Sequence, residues 1–419
     1  MKRILCMIFV CLLLAACGQT PVAGTDEPAE TPLPAVDPAV LPDFPVPEIN
    51  GYADFSDVLA AKLIDGTKNR NLSPISVYLA MAMATEGTNG DTQAELLKLL
   101  GCRDLKELRN ICGAMLSDLT VDAEKSTLTF ANSIWMDDHD GMLRFSDAYL
   151  QTLADVYRSE ANAVDLSSVE TGKQIADWID RHTNGKIKPG PMQFDPETIA
   201  VLINTIYLKD AWRDAFNGEA TDAGTFRKPD GDMTVDYMQR MFSDTTIYKG
   251  DGYLRCSIPL RTVGYMTFVL PDEGVPLESL LGSREKLHAL LNDGEAINAD
   301  VHVKLPKFEF RDKMELANVL EALGAKLAFS DDADFSAMCD IPAQISSVLQ
   351  ESYIGVNEDG VEAAAYTMVT VNGATAMMPK ELPRIDFHLE RPFLYTIESW
   401  DGTVLFVGTV TEPSASAQN

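Results

Sequence analysis

Val356-Asn357-Glu358-Asp359-Gly360-Val361-Glu362-Ala363-Ala364-Ala365-Tyr366-Thr367-Met368-Val369-Thr370-Val371-Asn372-Gly373-Ala374-Thr375-Ala376-Met377-Met378 is the stretch around which the chain can be read. It opens like a turn, and Gly360 is a natural pivot because glycine reaches dihedrals that other residues avoid. From Val361 onward alternate residues sort into two faces. Val361, Ala363, Ala365, Thr367, Val369 and Val371 are small or apolar, while Glu362, Ala364, Tyr366, Met368, Thr370 and Asn372 are mixed and more polar. A period of two marks a strand with one face in a core. Yet the three alanines are good helix formers and weak strand formers. Such divided preferences suit a loop that is exposed in one state and a strand in another.

The bulk properties are those of a globular chain: 419 residues, 46% hydrophobic and 23% charged. That length allows two average domains or one large one. The net charge of -29 is spread along the sequence. It argues against nucleic acid, polyanions and anionic membrane surfaces as partners, since those need a basic patch. Residues 1–16 do not read as fold. Lys2 and Arg3 precede the apolar run Ile4 to Leu14, and Ala15-Ala16-Cys17 follows. A positive start, a short apolar core and small residues make a signal peptide rather than a membrane span. The Leu14-Ala15-Ala16-Cys17 ending resembles a bacterial lipobox, which implies cleavage before Cys17 and lipid on that cysteine. The expected product is exported: a cell-surface lipoprotein touching the membrane only through its anchor, or a secreted protein.

Residues 18–50 hold eight prolines, six acidic residues and no Lys or Arg. Such a segment cannot bury enough apolar surface to fold. Residues 17–50 are therefore expected to be an extended acidic tether, reaching ~100 Å at ~3.1 Å per residue. The folded part is expected over 51–419. Apart from Cys6, Cys11 and Cys17, the cysteines are Cys102, Cys112, Cys256 and Cys339. They show no paired spacing and no histidine at metal spacing, so buried free thiols are expected, with a Cys102–Cys112 bridge left open. Asp137-Asp138-His139-Asp140 reads as a solvated turn, because its spacing does not suit one ion. No Gly-x-Ser-x-Gly, His-Glu-x-x-His, phosphate loop or dinucleotide fingerprint occurs. The reading contains no enzyme, no cofactor and no metal site.

Along the chain, Phe55 to Leu63 follows helical spacing. Ser73 reads as an N-cap with Pro74 at the first helical position. The apolar residues after it are too dense for an exposed helix. Leu105 to Leu119 reads as one or two amphipathic helices, Thr127 to Trp135 as a strand, and Ile175 to Ile187 as a helix. Val201 to Leu208 fits a central strand, Val303 to Phe310 an alternating strand, and Leu316 to Leu323 a short helix.

Several of these blocks together resemble one family, the serpins. Val356 to Ala365 looks like the hinge of a serpin reactive-centre loop. Ser73-Pro74-Ile75-Ser76, followed by Gly87-Thr88-Asn89-Gly90-Asp91-Thr92, is similar to the serpin Ser-Pro-x-Ser and Gly-x-x-Gly-x-Thr signatures. Thr183-Asn184-Gly185-Lys186-Ile187, Leu305-Pro306-Lys307-Phe308, Ala333-Asp334-Phe335-Ser336 and Arg391-Pro392-Phe393 match further blocks in order. The resemblance runs from about Phe55 to Pro413. It implies one large α+β domain of mixed β-sheets and helices with an exposed reactive-centre loop.

The resemblance also implies a function. A serine protease would attack the loop as substrate and form a covalent acyl-enzyme. The cut loop would then enter the large sheet as an added strand, before water completes hydrolysis. The implied hinge is Glu358, Gly360, Val361, Glu362, Ala363, Ala364, Ala365 and Thr367. Ser73, Ser76 and Asn204 would belong to the shutter beneath the sheet, Trp212 to the breach where insertion begins. Gln350 stands at the shutter position where a histidine is usual. Counting forward from Gly360 puts the reactive bond at Ala374-Thr375, which suits an elastase-like protease. Counting back from Phe387 moves it toward Lys380, with Met377 between. The implied molecule is a monomer. The alternative from another class is a non-inhibitory lipoprotein that uses the scaffold for binding or adhesion.

Overall fold

The computed structural model describes residues 48–123, 125–138, 143–190, 192–361 and 382–414, together with the backbone of 6–16. In chain order the strands are β1 (Cys6–Ala16), β2 (Arg70–Leu72), β3 (Val121–Ala123), β4 (Ser126–Asp137), β5 (Ser159–Val164), β6 (Thr198–Ala211), β7 (Asp222–Lys228), β8 (Gly231–Gly250), β9 (Tyr253–Pro259), β10 (Gly264–Pro271), β11 (Glu295–Pro306), β12 (Phe308–Glu315), β13 (Ala343–Asn357), β14 (Gly360–Val361), β15 (Arg384–His388), β16 (Phe393–Ser399) and β17 (Val404–Val410). The helices are α1 (Tyr52–Leu63), α2 (Pro74–Glu86), α3 (Gly90–Leu99), α4 (Leu105–Asp118), α5 (Asp147–Tyr157), α6 (Val169–His182), α7 (Leu277–Leu280), α8 (Arg284–Asn292) and α9 (Ala317–Ala322).

Two sheets carry the fold. In the first, β12 lies outside β13, and β4 lies beyond β6 with β3 and β5 both on β4. Between β13 and β6 is one strand position shared by two segments. At one end β14 fills it, antiparallel to both neighbours. Along the rest runs the backbone of β1, parallel to both. By sequence this apolar segment is a leader outside the fold; here it pairs with Ala343–Tyr353 on one side and Thr198–Leu208 on the other. The second sheet has the order β15-β11-β8-β9-β10-β16-β17-β2, with β7 on β8.

β6 is buried almost without interruption, as a strand covered on both faces must be. On one face Ala200, Leu202, Ile206 and Leu208 join the main core with α2. On the other, Val201, Ile203 and Tyr207 meet Ile175, Trp178 and Ile179 of α6. Ile175, Trp178 and Ile179 recur at helical spacing, so one stripe of α6 covers the sheet. α2 is apolar on all sides and every one of its residues is buried.

The structure modifies four of the sequence expectations. Ser73 is the N-cap residue of α2, but its hydroxyl makes no capping bond. α6 stops at His182 rather than continuing to Ile187, because Asn184 and Gly185 turn into positive φ of 50° and 78°. Val303 to Phe310 is not one strand. It breaks at Lys307, whose N–H bonds to Asp236, so β11 stays in the second sheet and β12 joins the first. Ile49, read as the end of the tether, is buried in the core.

Cys102, Cys112, Cys256 and Cys339 are buried thiols not joined in disulfides, as expected. Burial pushes the Cys256 thiol up to about 12 and that of Cys112 further up. Thiolates are the reactive form. These four thiols should therefore resist alkylation in the native protein and react only in denaturant, which peptide mass spectrometry would read directly.

Candidate functional site

The shared strand position between β6 and β13 organises the candidate site. At its upper end the chain leaves β13, turns at Glu358-Asp359 and comes back as β14. Trp212 holds this turn. Its indole N–H donates to the Asn357 carbonyl at 2.8 Å, and its backbone N–H donates to the Asp359 carbonyl at 2.9 Å. The ring is buried edge-on against Phe216, whose N–H donates to the Glu358 carbonyl at 3.0 Å.

Glu358 is anchored by its side chain. It accepts from the Thr221 hydroxyl at 2.7 Å and pairs with Lys307 at 3.3 Å. Burial raises this carboxyl, but the Thr221 bond and Lys307 outweigh it and hold it below its ordinary 4.5. Gly360 follows at φ 154°, pressed against β6. A Cβ there would lie 2.2 Å from the Asp210 carbonyl oxygen. Val361 is fully buried opposite Val356 and Asp210. The odd-numbered face of the hinge thus begins on the core side.

Asp210 was not singled out by sequence reasoning, since it sits at the polar end of an apolar run and matches no motif. Its buried carboxylate accepts from the Ser126 hydroxyl at 2.6 Å and from the N–H groups of Thr262 and Val263 at 2.8 and 2.6 Å. Burial pushes it above the usual carboxylate range, and these hydrogen bonds pull back. It ties β6 to β4 and to the turn between β9 and β10, so the upper end of the opening is rigid.

Halfway down, the opening is polar. Gln350 is fully buried on β13 and grips the start of α2 twice. Its Oε1 accepts from the Ser73 N–H at 3.2 Å, and its Nε2 donates to the Ser73 carbonyl at 3.0 Å. Across the opening, Asn204 on β6 donates to Asn132 at 2.7 Å, and Asn132 donates to the Tyr157 carbonyl at 2.6 Å. The Ser73 and Ser76 hydroxyls and the Asn204 Oδ1 are buried with no partner among the described residues. Native buried polar atoms are nearly always paired, so this spot has unused hydrogen-bonding capacity. The structure thus places Ser73, Ser76, Asn204 and Gln350 on buried positions around one opening, and Trp212 with Glu358, Gly360 and Val361 at its head. Glu362, Ala363, Ala364, Ala365, Thr367, Ala374, Thr375 and Cys17 lie outside the described residues.

The comparisons agree with this architecture. A family model described as Serpin (serine protease inhibitor) matches residues 50–413. Serpin-Z1B of Triticum aestivum is 30% identical over 378 residues, covering 83% of this chain and 91% of the wheat protein. An uncharacterized serpin-like protein of Thermococcus kodakarensis is 30% identical over 382 residues, covering 88% of this chain and 86% of its own. The crystal structure of the thermophilic serpin tengpin in its native state superposes with a TM-score of 0.74 at 28% identity, covering 86% of this chain and 93% of that one.

Three outcomes test the geometry. Gln350→Ala strands the Ser73 N–H and carbonyl, at about 1–3 kcal/mol for each buried group left unpaired; denaturant unfolding of the intact protein should show the loss. Gly360→Ala should displace β14 and lower the melting temperature. A carboxyl depressed in the fold adds stability above its unfolded pKa and loses it as pH falls through the folded value. Melting temperature should therefore fall more steeply below about pH 4.5 in the wild type than in Glu358→Gln.

Proposed function

Since the chain belongs to the serpin family, whose members are generally protease inhibitors, we propose that it traps an extracellular serine protease by cleavage and insertion of its own loop. One observation carries this reading. β14 already lies between β13 and β6, and its register can be continued. Val361 faces Val356 and Asp210, and each later residue as far as Thr370 would face one earlier residue on both neighbours. β6 begins at Thr198 and β13 at Ala343. Continued to those ends, with the one-residue irregularities at Ile199 and Ser346 kept, Asn372 falls opposite Thr198 and Gly373 opposite Ala343. The strand position therefore takes the loop as far as Gly373, the residue before Ala374, which supports Ala374-Thr375 as the reactive bond over Met377 or Lys380.

The same register supports the roles of the small inward residues. Ala363 would face Ile354 and Leu208, Ala365 would face Ser352 and Ile206, and Val369 would face Val348 and Leu202. All six of these neighbours are fully buried. Thr367 would arrive opposite Gln350 and Asn204, beside the unpaired Asn204 Oδ1. The one hydroxyl on the early inward face thus meets the spot where a buried amide oxygen is unpaired. Burying each valine gives roughly 1.5–3 kcal/mol, and the two strand edges supply the hydrogen bonds.

In the proposed reaction the protease nucleophile attacks the Ala374 carbonyl, the Thr375 amine leaves, and the acyl-enzyme is carried away as the loop enters. The inhibitor supplies no catalytic group. A small residue at Ala374 suits an elastase-like pocket. The chain is exported with residues 1–16 removed, leaving the strand position to the loop, and Cys17 carries lipid at the base of the tether.

Mixing the mature protein with elastase should give a complex stable in SDS, and the released peptide should begin at Thr375. Clean cleavage with no complex would instead favour a binding scaffold. Ala363→Arg would bury an unpaired charge, so this variant should be cut without retaining the protease. Thr367→Val should leave the intact protein unchanged but weaken the cleaved form by about 1–3 kcal/mol, the cost of the polar groups left unmet.

A further inference from the structure

His302, Asp386 and His388 are far apart in sequence but meet on one face of the second sheet. The reason is register. His302 on β11 lies directly opposite Asp386 on β15, and His388 follows Asp386 by two residues. A spacing of two returns to the same face of a strand, so all three side chains share it. No local motif joins them, and the sequence contains no sign of the grouping.

The donor atoms are closely set. His302 Nδ1 lies 3.0 Å from His388 Nε2, 3.6 Å from Asp386 Oδ1, and His388 Nε2 lies 3.9 Å from that same oxygen. A circle through three points so spaced has a radius of about 2.1 Å, the length of a zinc bond to imidazole nitrogen or carboxylate oxygen. One ion near the centre would lie at bonding distance from all three donor atoms, in place of the hydrogen bond between the two imidazoles. The two imidazoles stand at 83° to each other. Asp386 is half exposed, which leaves a side open for water.

The local electrostatics allow a cation here. Lys304 is engaged by Glu390 at 3.2 Å and rests over the Tyr237 ring. Arg384 also contacts Asp386 Oδ1, at 3.2 Å, but is largely solvated. A carboxylate oxygen can accept from it and still hold a metal.

We propose that His302, Asp386 and His388 form a binding site for a divalent late transition metal of the zinc class, which clasps β15 to β11. Two imidazoles and one carboxylate favour such an ion over Mg2+ or Ca2+, which take oxygen ligands. The clasp matters because, among the described residues, β15 is an edge strand that pairs only with β11, through five residue pairs. It is also the first described strand after the hinge. A metal there fixes the return end of the loop to the body of the protein.

The test uses the full chain after EDTA treatment. Calorimetric titration with ZnCl2 should show one tight site per chain that MgCl2 does not fill, and CoCl2 should give the intense visible bands of a four-coordinate site. Amide exchange across residues 384–389 should slow when Zn2+ is bound. His302→Gln and His388→Gln should each weaken Zn2+ binding at least about tenfold, while His288→Gln leaves it unchanged. Absence of Zn2+ binding, or binding that survives the His302→Gln, His388→Gln double change, overturns the proposal. If those variants fail to fold, wild-type modification by diethyl pyrocarbonate decides. Zn2+ should protect His302 and His388, and unchanged labelling of both refutes the site.

Discussion

Two parallel strands, β6 and β13, stand one strand-width apart with their hydrogen-bonding edges facing each other. Backbone N–H and carbonyl groups cannot be left bare in a core, so whatever lies between them must be a strand. The rest of the molecule follows from that requirement. α2 closes one face of the opening and α6 the other, and both bury apolar side chains against it. The position is already taken up at one end by β14 and along the remainder by β1. A strand edge offers donors and acceptors to a partner of either direction. That β1 runs parallel and β14 antiparallel to the same two neighbours shows both directions in one place.

The opening is not uniform along its length, and the differences divide its work. Its upper end is fixed by Trp212, by the doubly anchored Glu358 and by Asp210, whose hydrogen bonds reach β4 and the second sheet. Its middle is polar and incompletely satisfied. Under the proposed function, an incoming chain would start from a rigid base and meet unpaired polar groups beside Gln350 and Asn204.

Much of this was legible in the sequence where local rules dominate. The dense apolar run after Pro74 could only be a buried helix, and the unbroken run Val201 to Leu208 could only be a strand covered on both faces. Of the hinge residues with a period of two, only Val361 lies among the described residues, and it faces the core. What failed to show depended on long-range pairing. Ser73 looked like a cap, but Gln350, distant in sequence, claims its backbone and leaves the hydroxyl aside. The break at Lys307 was hidden because alternation continues through it while the chain changes sheets. Asp210 and the His302, Asp386, His388 group carry no motif; strand register alone gives them meaning.

The grip of Gln350 on Ser73 has a further consequence for the conditions in which the protein can work. A histidine in that place would gain charge between pH 5 and 8 and change its hold on the helix with the medium. An amide donates and accepts identically across that range. Acidification within that range therefore leaves this latch as tight as it was at neutrality.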